Sequence, residues 1–475
     1  MVKSLSIMEY TTTSRGKPKL TLDGYIYLKN KDINGSTYWR CERRGECKVA
    51  LITFTDSGRV KAQPAQHAHA PDVPRVKAVK AVAEMKERAV ASDDVTSLVI
   101  NNCSANLSLV AAAALPSKST LSRMIQRKRK APDEDGLPNG VFTTRGEDFL
   151  LAEDQELDII VLATEGNLRL LSQYHHWFCD GTFDSAPVGH QLYTIHAHIQ
   201  AGHTIPLVYC ITRNKNEMVY RRILQILKEH KPDLEPQSVM MDFEMAVINA
   251  FTLEFPHATL TGCLFHFGQC IYRKVQELGL QQRYRDDDEF ALIIKKFQGL
   301  AFVPADDVIA VYDELVNSLD EDLANEVLER FLIYFETTWI GPEHRGRRRR
   351  PLFDIKLWNV RGRVEDDLPR TNNSVEGWHR AFDQRINVTH PSKSKLVKKL
   401  VLEQSGHEVT LEQFRATATL PRQKVKYRQV TARLNTIMDT YFDVPNDDYL
   451  RGIAHNLYIF KYHNKSHSSY NQYFL

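Results

Sequence analysis

Apolar and polar positions change period several times along this chain, and each change predicts a different kind of element. Across residues 25–69 short apolar runs (YIYLKN, STYWRC, KVALITF, RVKAQ) are separated by the turn pairs Asp23-Gly24, Asn34-Gly35 and Ser57-Gly58. That pattern predicts four short strands joined by tight turns. Pro71 and Pro74 break it, and VKAVKAVAEMKERAVA then carries apolar residues at helical spacing. Two more helices are expected near 95–112 and 116–130, the last opening at Pro116-Ser117, with Leu121, Met124 and Ile125 on its apolar side and a basic end. APDEDGLPNG, 131–140, reads as a linker by its Pro, Gly and acid content.

Beyond the linker a helix is expected near 153–166, followed by an apolar strand (WFC) that ends at Asp180. Residues 192–199 alternate as a second strand, and TIPLVYCIT reads as a buried third. A helix at 219–230 carries Tyr220, Ile223, Leu224 and Leu227 on one face and stops at Pro232. SVMM is a further buried strand ending at Asp242, before a helix at 245–255 and a strand at 259–264. Three hairpin-linked strands followed by βαβ units predict a mixed sheet flanked by helices. Residues 267–340 are helical by pattern, and Val375, Trp378, Phe382 and Ile386 form an apolar stripe on a helix capped by residues 371–374. Helical composition returns at 391–403, 413–416 and 424–439.

At 475 residues the chain is too long for one ordinary domain, and length alone suggests roughly three. With 43% hydrophobic and 25% charged residues it has the composition of a globular protein with a sizeable core. The longest apolar run, LVAAAAL, is far too short to cross a bilayer, and the opening residues lack the apolar stretch of a secretory signal. No membrane association is expected. Seven cysteines without an export signal fit reduced thiols or metal ligands, hence an intracellular protein. A net charge of +3 says little, but its distribution says more. Arg127, Lys128, Arg129 and Lys130 form one basic run, Arg345, Arg347, Arg348, Arg349 and Arg350 another, and residues 393–399 a third. Such runs contact phosphates, serve as nuclear import signals, or are simply solvated faces. The three helices before the linker form either a helix-turn-helix reader or a packed spacer.

Four short strands bury too little surface to stand unaided. The same segment holds Cys41, Cys47, His67 and His69, two thiolates and two imidazoles spaced C-x5-C-x19-H-x-H. Four ligands of this kind suit a closed, structural Zn²⁺ site. One residue between the histidines places both on one face of an extended segment. Together with Tyr25, Leu28, Tyr38, Trp39, Arg40 and Ala68, these residues resemble a FLYWCH-type zinc finger. The gap between the cysteines is slightly short for that pattern, and the resemblance implies binding to DNA or to protein without deciding which.

Asp180 and Asp242 both close apolar strands, where crossover connections bring strand ends to one ligand-binding edge. Two carboxylates brought close repel unless a cation neutralises them, and hard oxygen ligands suit Mg²⁺ or Mn²⁺. Glu376 flanks the apolar stripe of its helix, one turn from His379. The motifs Cys179-Asp180-Gly181-Thr182-Phe183, Met241-Asp242, Gly262-Cys263-Leu264-Phe265-His266 and Asn372-Asn373-Ser374-Val375-Glu376 occur in this order. With them, residues from about 145 to 400 resemble a Mutator-like element (MULE) transposase domain of the ribonuclease H-like DDE group. The resemblance implies that Asp180, Asp242 and Glu376 hold two divalent ions, one activating water or a 3′-hydroxyl and the other stabilising the leaving oxygen. It makes Cys263 and His266 accessory residues at the active-site edge or in the structure, a pair too sparse for a zinc site alone, and the 267–370 stretch a helical insertion; His379, one turn from Glu376, is a further accessory candidate.

The expected organisation is therefore multidomain: a small β-rich zinc finger at 1–70, a helical basic connector at 71–140, and an α/β ribonuclease H-like core beginning at 141–266. An all-helical insertion at 267–370, a catalytic helix at 371–400 and a C-terminal helical region at 401–475 follow. The expected function is a nuclear transposase-like protein acting on double-stranded DNA, with a homo-oligomer on DNA possible and no organic cofactor. The competing expectation is a domesticated, non-catalytic DNA-binding regulator of transcription.

Overall fold

Asp23, Gly24, Asn34, Gly35 and Gly58 all adopt positive φ, so the chain turns where its Asp-Gly, Asn-Gly and Ser-Gly pairs stand. The computed structural model describes residues 8–12, 17–92, 94–129, 137, 140–200, 203–386, 388, 390–418 and 425–457. The chain divides into two compact units, Met1–Asp133 and Glu134–Leu475.

In the first unit six strands form one antiparallel sheet in sequence order: β1 (Glu9–Thr12), β2 (Pro18–Leu22), β3 (Tyr25–Ile33), β4 (Ser36–Cys41), β5 (Ala50–Phe54) and β6 (Val60–Ala62). The last four are the expected strands, and β1 and β2 add an edge the alternation at 25–69 did not include. The sheet core is only Leu20, Leu22, Tyr27, Trp39 and Leu51. Four helices follow: α1 (Val73–Ala91), α2 (Thr96–Ser104), α3 (Leu109–Ala113) and α4 (Lys118–Arg129). The single helix expected near 95–112 is two, because the Ser108 hydroxyl caps a new start by accepting from Ala111 N (3.3 Å). Met85, Ala89, Val99, Ile100, Cys103, Leu121 and Ile125 pack together between them.

The second unit is built on a seven-stranded sheet. Its strands are β7 (Leu150–Asp154), β8 (Ile159–Leu162), β9 (His176–Thr182), β10 (Gln191–Gln200), β11 (His203–Thr212), β12 (Ser238–Met241) and β13 (Thr259–Gly262), in the spatial order β13-β12-β9-β10-β11-β8-β7. β12 runs parallel to both β9 and β13, and the remaining pairs are antiparallel, so the sheet is mixed. The helix expected near 153–166 is instead the β7–β8 hairpin. Ile159, Ile160, Val161 and Leu162 are all buried, which an amphipathic helix at this edge would not allow, and Asp158 turns the chain at φ 51. The helix begins later, as α5 (Glu165–Gln173), where Thr164 accepts from Asn167 N (3.0 Å).

One sheet face is covered by α5, α6 (Glu217–His230) and α7 (Met245–Glu254), whose apolar stripes share a core with Trp177, Tyr193 and Ile195. A separate helical core gathers α8 (Leu264–Glu277), α9 (Gln281–Asp286), α10 (Asp288–Gly299), α11 (Val308–Asn317), α12 (Glu329–Phe335), α13 (Ile355–Trp358) and α14 (Arg361–Glu365). Trp339 and Trp358 lie at its centre with 0% exposure, the Trp358 indole donating to Trp339 O (3.1 Å), so neither ring is open to a base. The opposite sheet face carries α15 (Asn373–Ile386) and α16 (Lys393–Thr417), with Phe382, Ile386, Leu396, Val397 and Leu400 buried beneath them. α16 is one unbroken 25-residue helix, so the division expected at residue 400 falls inside it. α17 (Val425–Asp439) and α18 (Asn446–His455) complete the helical core through Leu434, Met438, Tyr449 and Ile453.

Candidate metal centres

The first centre lies in the finger. β4 ends at Cys41, and the chain turns through residues 42–46 to Cys47, while His67 and His69 lie in the irregular segment beyond β6, with a bend at 68–69. All four ligand atoms lie within 4.8 Å of one another. Cys41 Sγ faces His69 Nε2 at 3.2 Å, and Cys47 Sγ faces His67 Nδ1 at 3.3 Å. A tetrahedral zinc with bonds of about 2.3 Å to sulfur and 2.0–2.1 Å to nitrogen needs S···N edges of roughly 3.5 Å. The donors fit zinc. Each imidazole is also oriented from behind: Tyr27 OH holds His67 Nε2 (2.8 Å), and His69 Nδ1 donates to Ala70 O (3.0 Å). Tyr25 stacks flat on His67 at 3.7 Å. Burial raises the thiol pKa of Cys41, whereas at Cys47 the amides of Ala68 and Val49 outweigh burial and lower it.

The second centre forms where β9 and β12 end. Their parallel register pairs Ser238 with His176, Val239 with Trp177 and Met240 with Phe178. Asp180 and Asp242 each follow two residues beyond the last of these pairs, Asp242 just past the end of β12. Both acids line a small cavity of about 30 Å³. Glu376 arrives from the far side on the first turn of α15. Its approach is pinned by Asn372, whose side chain donates to Cys179 O (3.0 Å) and whose N–H donates to Cys263 Sγ (3.2 Å). Val375 packs against Phe178, Met240 and Cys263, seating α15 on the ends of β9, β12 and β13.

Two histidines interleave these acids. His379 Nδ1 donates to Asp180 Oδ2 (3.2 Å), while Gly181 N donates to Asp180 Oδ1 (2.8 Å). Burial works against the charge on Asp180, but the His379 bond and the charges of His379 and His266 hold its carboxyl below the usual range. His266, one turn into α8, presents Nδ1 to Asp242 Oδ1 (2.5 Å) and Nε2 to Glu376 Oε1 (3.5 Å). Asp242 Oδ1 thus has His266 as its ion-pair partner, while Glu376 Oε1 is buried without a hydrogen-bond partner. Burial, aided by the charges of Asp180 and Asp242 against that of His266, lifts the Glu376 carboxyl to about 7. The ligand atoms at this edge that all lie within 4.8 Å of one another are those of Cys263, His266 and Glu376, while Asp180 and Asp242 each face a histidine.

Four further groups share the cavity, and the sequence pattern alone did not single them out as site residues. Gln191 and Tyr220 are hydrogen-bonded to each other (3.0 Å), Tyr220 donates to Glu244 Oε1 (3.1 Å), and Lys215 pairs with Glu244 Oε2 (3.5 Å). Burial raises the Glu244 carboxyl. The available signal was Glu244 itself, an acid two residues beyond Asp242 at a strand exit. His196, by contrast, is fully buried and bonded to Thr194 (3.0 Å), a packed sheet residue.

The basic runs divide. Arg127 and Lys128 are exposed at the end of α4, the side chain of Arg129 is not described, and Lys130 lies outside the described residues. Arg345, Arg347, Arg349 and Arg350 are exposed around a small hairpin of β14 (Glu343–His344) and β15 (Arg347–Arg348). Arg348 is occupied within the fold, paired with Asp313 and with Glu336 Oε1 (2.8 Å). Lys393, from the third run, pairs with Asp158 (2.7 Å). Among the described residues no helix is long and apolar enough to cross a membrane.

No curated protein matches this chain. Residues 10–69, which contain all four finger ligands, match the FLYWCH zinc finger domain. Residues 176–269, which contain Asp180, Asp242, Cys263 and His266 and stop short of Glu376, match the MULE transposase domain. The chain thus carries a FLYWCH zinc finger domain followed by a MULE transposase domain.

Proposed function

We propose that this protein is a nuclear, DNA-directed transposase whose mixed sheet is a ribonuclease H-like DDE core. The observation that carries the reading is that Asp180 and Asp242, each two residues beyond the paired Phe178 and Met240 of adjacent parallel strands, line one cavity and both act by charge on the buried Glu376. Mg²⁺ or Mn²⁺ bound there would supply Lewis acidity to activate water or a 3′-hydroxyl and to stabilise the leaving oxygen of a phosphodiester. The protein's own contribution is positional. β9 and β12 fix two oxygen donors on rigid backbone, Asn372 locks the third donor's helix, and His379 and Gly181 hold Asp180 in its ionised form. Arg345, Arg347, Arg349 and Arg350 are exposed cations suited to grip a DNA backbone. Arg127 and Lys128 offer the same near the finger. The finger binds structural zinc, and double-stranded DNA is the partner, engaged by one or more copies of the chain.

The test is nicking of supercoiled plasmid DNA with Mg²⁺ or Mn²⁺. The wild-type chain is expected to nick, and Asp180→Asn, Asp242→Asn and Glu376→Gln each to lose at least ~10²-fold in rate. Nicking retained in any of the three contradicts the assigned triad.

One observation favours the domesticated, non-cutting reading. Both oxygens of Asp180 are already engaged, and His266 stands between Asp242 and Glu376. DNA binding without nicking under either cation would select it.

A further inference from the structure

Cys263, His266 and Glu376 offer one sulfur, one nitrogen and one oxygen that all lie within 4.8 Å of one another. Cys263 is the N-terminal cap of α8 and His266 stands three residues further on, so both point from the same first helical turn. Glu376 comes from the first turn of α15. Mg²⁺ has little use for a thiolate or an imidazole, whereas zinc prefers them. His266 has the two-sided arrangement of a zinc-binding histidine: Nε2 faces Glu376 Oε1 at 3.5 Å while Nδ1 faces the Asp242 carboxylate at 2.5 Å. A carboxylate behind the imidazole fixes its tautomer and raises its basicity toward a metal. Glu376 Oε1 is buried and lacks a hydrogen-bond partner, whereas His266 Nδ1 and Asp242 Oδ1 face each other as an ion pair.

We propose that Cys263, His266 and Glu376 form a second zinc site, distinct from the finger, with Asp242 orienting His266 and water completing the coordination. The site shares Glu376 and Asp242 with the proposed nuclease centre but does not depend on nuclease chemistry. Zinc bound there draws Glu376 away from a hard cation, so it acts as an inhibitory ion on any Mg²⁺-dependent reaction.

The test is metal content of the full chain after zinc loading and dialysis, followed by cobalt substitution. About two zinc ions per chain are expected, with about one retained when the finger is disabled by Cys41→Ser and Cys47→Ser together. In that finger-disabled chain, Co²⁺ is expected to give a near-ultraviolet thiolate-to-metal band that Cys263→Ser abolishes. Because Cys263 is buried and its replacement risks misfolding, Glu376→Gln serves as the second variant. It should keep the thiolate band but weaken Co²⁺ affinity at least ~10-fold, as expected for the loss of one of three ligands. A single zinc in the wild-type chain, none in the finger-disabled chain, or unchanged Co²⁺ affinity in Glu376→Gln overturns the site. Plasmid nicking measured separately with Mn²⁺ keeps the two proposals apart: nicking by a chain that holds one zinc removes this site and leaves the nuclease standing.

Discussion

Asn167 and Gln404 exchange two hydrogen bonds between α5 and α16. Asn167 Nδ2 donates to Gln404 Oε1 at 3.0 Å, and Gln404 Nε2 donates to Asn167 Oδ1 at 2.8 Å. Both side chains are almost fully buried, and Asn167 also donates to Leu207 O (2.8 Å). The pair ties α16 to α5 through residues 237 positions apart. α16 is thereby part of the sheet unit. Gln404→Ala would leave a buried amide unpaired, which costs about 1–3 kcal/mol. Chemical denaturation of the full chain should show a loss of that size for either single alanine variant. The Asn167→Ala, Gln404→Ala double variant should lose less than the sum of the two singles, and strict additivity would show that the pair is not coupled.

Three histidines of the sheet unit are held neutral by burial. Burial lowers His198 to about 4, lowers His407 to about 4 with help from the charge of Arg385, and lowers His196 far below the usual value. Unfolded, each protonates near its ordinary value of about 6.5. Between about pH 6.5 and 4 the unfolded chain binds more protons, so stability is full above neutrality and declines as pH falls through that window. For His407 the loss at pH 5 is about 2 kcal/mol. His407 is hydrogen-bonded to Tyr209 OH (3.0 Å), a role an amide can fill. His407→Gln should flatten the acid limb of the stability profile while changing stability at pH 8 little. An unchanged acid limb would contradict the assignment.

The finger's core of five apolar side chains is too small to hold a six-stranded sheet by burial alone, so zinc carries a large share of its stability. Chelation should therefore remove the protection of β3–β5 amides in hydrogen exchange while leaving the amides of β9–β12 protected. Cys47→Ser should reproduce the effect of the chelator. Slow exchange in β3–β5 after complete zinc removal would show that the sheet stands without metal.

Much of this was legible in the chain, and the exceptions have physical reasons. The finger cysteines and the two aspartates lie at strand exits and turns, which leave chemistry-bearing side chains at fixed offsets, whereas Glu376 lies on the first turn of α15. The helix expected near 153–166 is a hairpin and α5 because Ile159–Leu162 is too short a run for its period to decide between helix and strand, and all four residues are buried. Helix α18 escaped notice because its sequence, NDDYLRGIAH, is half polar and gains its place only by packing into a core assembled from distant helices. The interleaving of His266 and His379 among the acids was not readable from spacing. It depends on α8 and α15 being brought to the same sheet edge by Asn372 and Val375.

The proposed function requires Asp180, Asp242 and Glu376 to share a divalent cation, and Mn²⁺ affinity measures that sharing directly. Titration of the full, zinc-free chain with Mn²⁺, followed by electron paramagnetic resonance of the free ion, should reveal binding that weakens at least ~10-fold in each of Asp180→Asn, Asp242→Asn and Glu376→Gln, as expected when a charged ligand is lost. Equal Mn²⁺ affinity in the wild-type chain and in any one of these variants would contradict it.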